Sequence, residues 1–151
     1  MKRIAPLPFL AIVLLTASIF SCKQATGPKT NEELLIASPW YVNELQIDQN
    51  GTKFYYKRGG AGNTVNYDTH FNTFASDGTG FIYGPNAPAP LRWRFLDADK
   101  KVLSVTALFT GQTVDLIWEI TEFSDTLLKY KETFTQNGVR YTNQGVRTSR
   151  M

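Results

Sequence analysis

The chain of 151 residues has a single cysteine, Cys22, and a single histidine, His70. One cysteine excludes any intramolecular disulfide. Together they fall short of the cysteine- and histidine-rich sets that hold structural zinc, and neither a metal nor another cofactor is expected. Long apolar runs are also scarce. The most apolar stretch is Phe9–Phe20 (FLAIVLLTASIF), well short of the ~20 residues that span a bilayer as a helix. Neither sign of charge dominates: Lys and Arg number 16, Asp and Glu 13. No dense cluster of Lys and Arg marks a nucleic-acid surface.

Catalytic signatures are equally thin. Gly59, Gly60 and Gly62 lack the Lys-Ser/Thr pair and following helix of a phosphate loop. Asp97-x-Asp99 opens like a calcium loop, but its sixth and twelfth positions are Val102 and Leu108 instead of Gly and Glu; it reads as a hairpin turn. His70 has no nucleophile or acid beside it in the sequence. Asp115, Glu119 and Glu122 read as solvent-facing acids, since acid–base catalysis needs a cleft and shifted pKa values. With no visible set of acid, base and nucleophile, a non-catalytic protein is expected.

What is present begins with Lys2 and Arg3 ahead of the apolar run, the proportions of a signal peptide. The run ends in Ile19-Phe20-Ser21-Cys22. This resembles a bacterial lipobox, with an aliphatic residue three before the cysteine and a small one just before it. The resemblance implies cleavage before Cys22 and lipid on its thiol; diacyl or triacyl modification anchors stably. Without residues 1–21 the chain carries 14 basic and 13 acidic residues, so the whole-chain pI of about 9.0 overstates its basicity. Residues 22–33 then form a flexible tether, polar from Lys23 to Asn31, and residues 34–151 the folded domain. Glu32–Ser38 can form one or two helical turns, stopped by Pro39, and such a turn could plug one end of a barrel.

From Trp40 onward the punctuation is that of hairpins. Asn50-Gly51, Asp77-Gly78 and Asn137-Gly138 favour two-residue turns because both residues tolerate positive φ. Looser turns are expected at Gly59–Asn63, Asp97–Lys101, Thr110–Gln112 and Ser124-Asp125, and an exposed loop at Gly84–Pro90 (GPNAPAP), whose prolines cannot donate to a ladder. The segments between read as nine strands, near 40–48, 52–58, 65–76, 79–84, 91–97, 102–109, 113–121, 126–135 and 139–147. Turns every 8–12 residues suggest a sandwich or barrel. Their tightness favours an all-β, antiparallel up-and-down barrel of eight or nine strands.

Alternation along these strands names candidate inward residues. Leu91, Trp93 and Phe95 share one face; so do Leu103, Val105, Ala107 and Phe109; so do Leu116, Trp118 and Ile120. In the eighth strand Leu128, Tyr130, Glu132 and Phe134 share a face, which turns the carboxyl of Glu132 inward unless a bulge intervenes. A buried carboxylate is costly without a partner, and Arg140 or Arg147 on the last strand could supply one. Eight-stranded barrels either fill with side chains or leave room for one small ligand. In the second case the expected wall is Trp93, Phe95, Trp118 and Tyr130, with Glu132 and Arg147 as polar contacts.

Four segments resemble the lipocalin-like domains of small lipoproteins of Bacteroidota. These are Leu35–Leu45 (LIASPWYVNEL), Phe74–Gly80 (FASDGTG), Trp93–Val105 (WRFLDADKKVLSV) and Trp118–Tyr130 (WEITEFSDTLLKY). Ser38-Pro39-Trp40 stands where classical lipocalins have G-x-W, so the resemblance implies a fold and no particular ligand. It implies a cell-envelope protein. In that group acidic residues just after the lipidated cysteine favour surface export; Lys23-Gln24-Ala25-Thr26 has none, which leans towards an outer-membrane protein facing the periplasm. Asp125-Thr126-Leu127 also resembles the pattern those bacteria O-glycosylate, which makes Thr126 a candidate acceptor. Two functions remain open. One is a lipid-anchored barrel holding a small apolar or amphipathic ligand. The other is a packed barrel that contacts an envelope partner through the loops at Gly59–Asn63 and Gly84–Pro90.

Overall fold

In the computed structural model, residues 27–150 are described; the signal segment, Cys22 and the start of the tether lie outside them. A short helix, α1 (Asn31–Ile36), is followed by nine strands: β1 (Trp40–Gln49), β2 (Thr52–Lys57), β3 (Phe71–Phe74), β4 (Thr79–Tyr83), β5 (Ala89–Phe95), β6 (Val102–Phe109), β7 (Gln112–Phe123), β8 (Leu127–Gln136) and β9 (Val139–Thr148). Neighbours pair antiparallel in the order β2-β1-β3-β4-β5-β6-β7-β8-β9, and β1 also pairs with β9. That last pairing closes an eight-stranded up-and-down barrel in which β2 is the extra strand.

β1 explains how one strand serves three neighbours. One of its edges runs along β9 from Tyr41 to Gln49. Its other edge is divided: Trp40 and Tyr41 pair with β3, while Glu44 to Gln49 pair with β2. The register on β9 shifts between Val42 and Glu44, a bulge that keeps both Val42 and Leu45 inside although they are three positions apart and regular alternation would put them on opposite faces. Arg58 caps this irregularity: its Nε and Nη2 donate to the carbonyl of Val42 at 3.1 and 2.9 Å, and its backbone N–H donates to that of Asn43 at 2.8 Å.

The sequence reading departs from the structure most at residues 65–76. Only Phe71–Phe74 is strand; residues 58–70 form an excursion of turns between β2 and β3. Short polar side chains hold its backbone in place of a ladder. Asn66 Oδ1 accepts from the Asp68 N–H at 2.8 Å, Asp68 Oδ1 from the Tyr56 hydroxyl at 2.7 Å, and the Tyr67 carbonyl from the His70 N–H at 3.0 Å.

Three smaller departures follow. α1 begins at Asn31, inside the stretch read as tether, because Thr30 and Glu33 form a reciprocal capping box. Ala89 and Pro90 open β5 and leave the loop; Pro is tolerated at a strand's start. Asn50-Gly51 and Asn137-Gly138 have both residues at positive φ, whereas at Asp77-Gly78 only Gly78 does, at 80°. Here Ala75 and Gly78 close a turn, N–H to carbonyl, at 3.1 Å, so this hairpin is wider than two residues.

One end of the barrel is sealed. Leu35 of α1 is fully buried and its carbonyl accepts from the indole of Trp40 at 2.9 Å. Around them pack Phe74, Leu91, Trp93, Leu103 and Leu128. Asn31 Nδ2 donates to the Lys100 carbonyl at 2.8 Å, Lys100 pairs with Glu32, and Lys29 with Asp125 at 2.9 Å. The Asp97 carboxylate accepts from the backbone N–H groups of Lys101 and Val102, closing the hairpin expected there.

Candidate functional site

Towards the opposite end, ringed by the β1–β2, β6–β7 and β8–β9 turns, the interior is hollow. A cavity of about 530 Å³ opens there. The filled and hollow alternatives thus occupy opposite halves of one barrel. The split follows from side-chain size. Leu, Trp and Phe such as Leu35, Trp40, Phe74, Leu91, Trp93, Leu103 and Leu128 meet at the sealed end, whereas the mouth is lined by shorter groups such as Val42, Leu45, Ile47, Val114 and Leu116, with Phe54, Phe109 and Phe134 near the rim.

Of the six residues expected as wall and polar contacts, three line the cavity: Tyr130, Glu132 and Arg147. Trp93 and Phe95 do not; they belong to the packed half, where the Trp93 indole donates to the carbonyls of Ala75 and Thr79 at 3.1 and 3.0 Å. Trp118 lies beneath the floor, 1 % exposed, its ring stacked on Tyr130 at 4.3 Å. Residues on the same inward face sit at different depths, which alternation alone does not encode.

The structure adds Tyr67, His70, Asn72 and Asn143 to the polar lining. Tyr67 and His70 enter from the excursion between β2 and β3, their rings 4.6 Å apart. His70 packs over Gly84, where a Cβ would meet Nε2 at 2.9 Å. Burial, aided by the Arg147 charge, holds the His70 imidazole below its ordinary pKa.

Glu132 points inward as alternation requires and is 6 % exposed. Its cross-strand partner is Asn143, whose Nδ2 donates to Glu132 Oε2 at 3.0 Å. Burial pushes the Glu132 carboxyl above the usual range, against the opposing pull of Asn143, Arg147 and Trp118. Arg140 is exposed on the outer face. Arg147 faces in, 8 % exposed. Its Nη1 donates to Asn72 Oδ1 at 3.2 Å and to the Trp40 carbonyl at 3.4 Å, while its Nε is buried without a partner. The guanidinium stands over the rings of Trp118 and Tyr130, at 4.9 and 5.5 Å from their centroids, a cation–π arrangement. Glu132 and Arg147 therefore share the cavity without forming a direct ion pair.

Tyr130 completes the floor. Its phenol is pushed up to about 12, chiefly by burial, so it stays a neutral donor. Asp115, Glu119 and Glu122 are exposed on the outside of β7, and Thr126 is exposed in the β7–β8 turn at the sealed end. No family model, no curated protein and no solved structure matches the chain.

Proposed function

We propose that this protein is a lipid-anchored, lipocalin-like component of the cell envelope whose barrel holds one small apolar or amphipathic ligand in its open half. The observation that carries this reading is the cavity. Its volume of about 530 Å³ falls within the range of small-molecule sites, ~300–1,000 Å³, and it has their usual make-up of apolar walls with a few convergent polar groups. Binding accounts for the polar groups better than catalysis. Glu132 is held by Asn143, and the buried Nδ1 of His70 has no partner to orient it.

The anchoring half of the reading rests on the lipobox-like Ile19–Cys22 segment. Cys22 and Lys29 are seven residues apart, a reach of at most about 25 Å. Since Lys29 pairs with Asp125 at the sealed end, a lipid on Cys22 draws that end towards the membrane and leaves the mouth facing away. The absence of acids in Lys23–Thr26 supports a periplasm-facing position, and Asp125-Thr126-Leu127 supports O-glycan on Thr126.

Titration with a neutral fluorescent probe, N-phenyl-1-naphthylamine, tests the ligand site. Saturable binding at one site per chain is expected. A probe that stays dark favours the second reading, an envelope partner held through the loops at Gly59–Asn63 and Gly84–Pro90; Leu108 and Phe109, 50 % and 40 % exposed, add apolar surface for it.

A further inference from the structure

One of the buried polar groups of the cavity is a cation with spare donors. Arg147 has five N–H groups, and its hydrogen bonds among the described residues run through Nη1 alone, to Asn72 and the Trp40 carbonyl. Nε is buried and unsatisfied. Lys29, Lys100 and Lys129 form ion pairs with carboxylates on the outside of the barrel; Arg147, the buried cation, is in none of them. A buried guanidinium without a counter-charge is costly, and its unsatisfied buried donor calls for a partner. Glu132 is not a full counter-ion. Its carboxyl is tied to Asn143, and burial favours its neutral form.

The geometry points to a monocarboxylate amphipath that enters head-first, its carboxylate on Arg147 and its apolar tail between Leu45, Leu116 and Phe134 towards the mouth. This rests on the cavity being a ligand site. A planar carboxylate matches the guanidinium fork. A phosphate dianion brings more charge than one Arg offsets, beside the acid Glu132. The Tyr130 hydroxyl, neutral at all ordinary pH, is a further donor in the cavity, and the Trp118 and Tyr130 rings under the guanidinium hold its plane. The tail needs no specific contact, because Leu45, Ile47, Val114, Leu116 and Phe134 give it apolar wall beside the polar Gln49 and Gln136.

Decanoate, decanol and decylamine share a chain and differ in the head. Each is titrated against the full mature protein carrying N-phenyl-1-naphthylamine. Decanoate should displace the probe at about tenfold lower concentration than decanol or better, the difference made by one charge-assisted hydrogen-bonded contact, and decylamine should be the weakest. Arg147→Gln should bring decanoate and decanol to equal potency; Arg147→Lys should restore part of the difference. A reading independent of any variant's fold comes from the wild-type protein: the guanidinium 1H–15N signals of Arg147 should move with decanoate and stay with decanol. Equal potency of decanoate and decanol, or Arg147 signals indifferent to decanoate, overturns the carboxylate assignment and leaves the ligand site standing. Absence of any probe binding overturns the site itself, and this inference with it.

Discussion

The ring of Tyr130 lies on the backbone of Gly145, its cross-strand partner, so closely that a Cβ there would run into Cζ, Cε1 and the hydroxyl oxygen. Any larger residue at 145 must lift the ring out of its stack on Trp118 and away from Arg147. Gly145→Val should therefore cost about 1–3 kcal/mol, the usual range for overpacking a filled site. It should also perturb the cavity floor. Urea melts would report the first effect and probe affinity the second; unchanged values for both would show that the ring has room to move.

Glu132 gives the molecule a pH signature. Its folded pKa is raised above the unfolded value of 4.5 by burial, so the stability that its neutral form retains is present below the unfolded pKa and is lost as pH rises through the folded one. Tyr67, His70, Tyr130 and Arg147 line the same cavity, and among them Arg147 opposes the shift. Glu132→Gln should remove this loss and leave the variant about 1–3 kcal/mol more stable than wild type at neutral pH, the typical cost of an ill-compensated buried polar group. The advantage should vanish near pH 4. His70 acts in the opposite sense, losing stability as pH falls through its unfolded value of 6.5, but it is common to both proteins and cancels in the difference. A difference that does not vary with pH would contradict the assignment.

Gly78 has φ of 80°, and a Cβ on it would lie 3.2 Å from the Trp93 carbonyl, whose own residue's N–H donates to the Gly78 carbonyl at 2.8 Å. Gly78→Val combines backbone strain with this contact and should destabilise by about 1–3 kcal/mol. Equilibrium denaturation measures it, and a variant as stable as wild type would mean the turn can relax away from β5.

Lipid attachment is separable from the fold. Cys22→Ala should leave the precursor uncleaved or release a soluble product, and intact-mass analysis of the wild type should show an acylated Cys22 at the N-terminus. A mature chain that begins elsewhere, or carries no acyl mass, removes the anchor from the account.

All nine strands were legible because the signals were local: Asn-Gly pairs, prolines and alternation each act within a few residues. Residues 65–70 misled because Val65 and Tyr67 alternate as a strand does, yet with His70 they line a cavity from irregular backbone that Asn66 holds from within the segment and Arg58 from outside it. Glu132 was legible by parity, and Asn143 could have been found as well: pairing outward from the Asn137-Gly138 turn sets 132 opposite 143. Arg147 lies on the same inward face of β9. The places of Trp93, Phe95 and Trp118 below the cavity were not legible, since depth along a tilted barrel depends on stagger between strands and on the bulges at Val42/Glu44 and Ile120/Glu122, which no single strand displays.

The claim that the open half is a ligand site is tested most directly by filling it. Leu116 lines the cavity above Trp118, and Leu116→Trp puts an indole into the space without touching Glu132 or Arg147. The variant should fold, with a denaturation midpoint near that of wild type, because the added ring enters an existing void. N-phenyl-1-naphthylamine binding, saturable in the wild type, should be lost. Probe binding that survives in a folded Leu116→Trp protein with undiminished affinity would place the probe elsewhere and contradict the account.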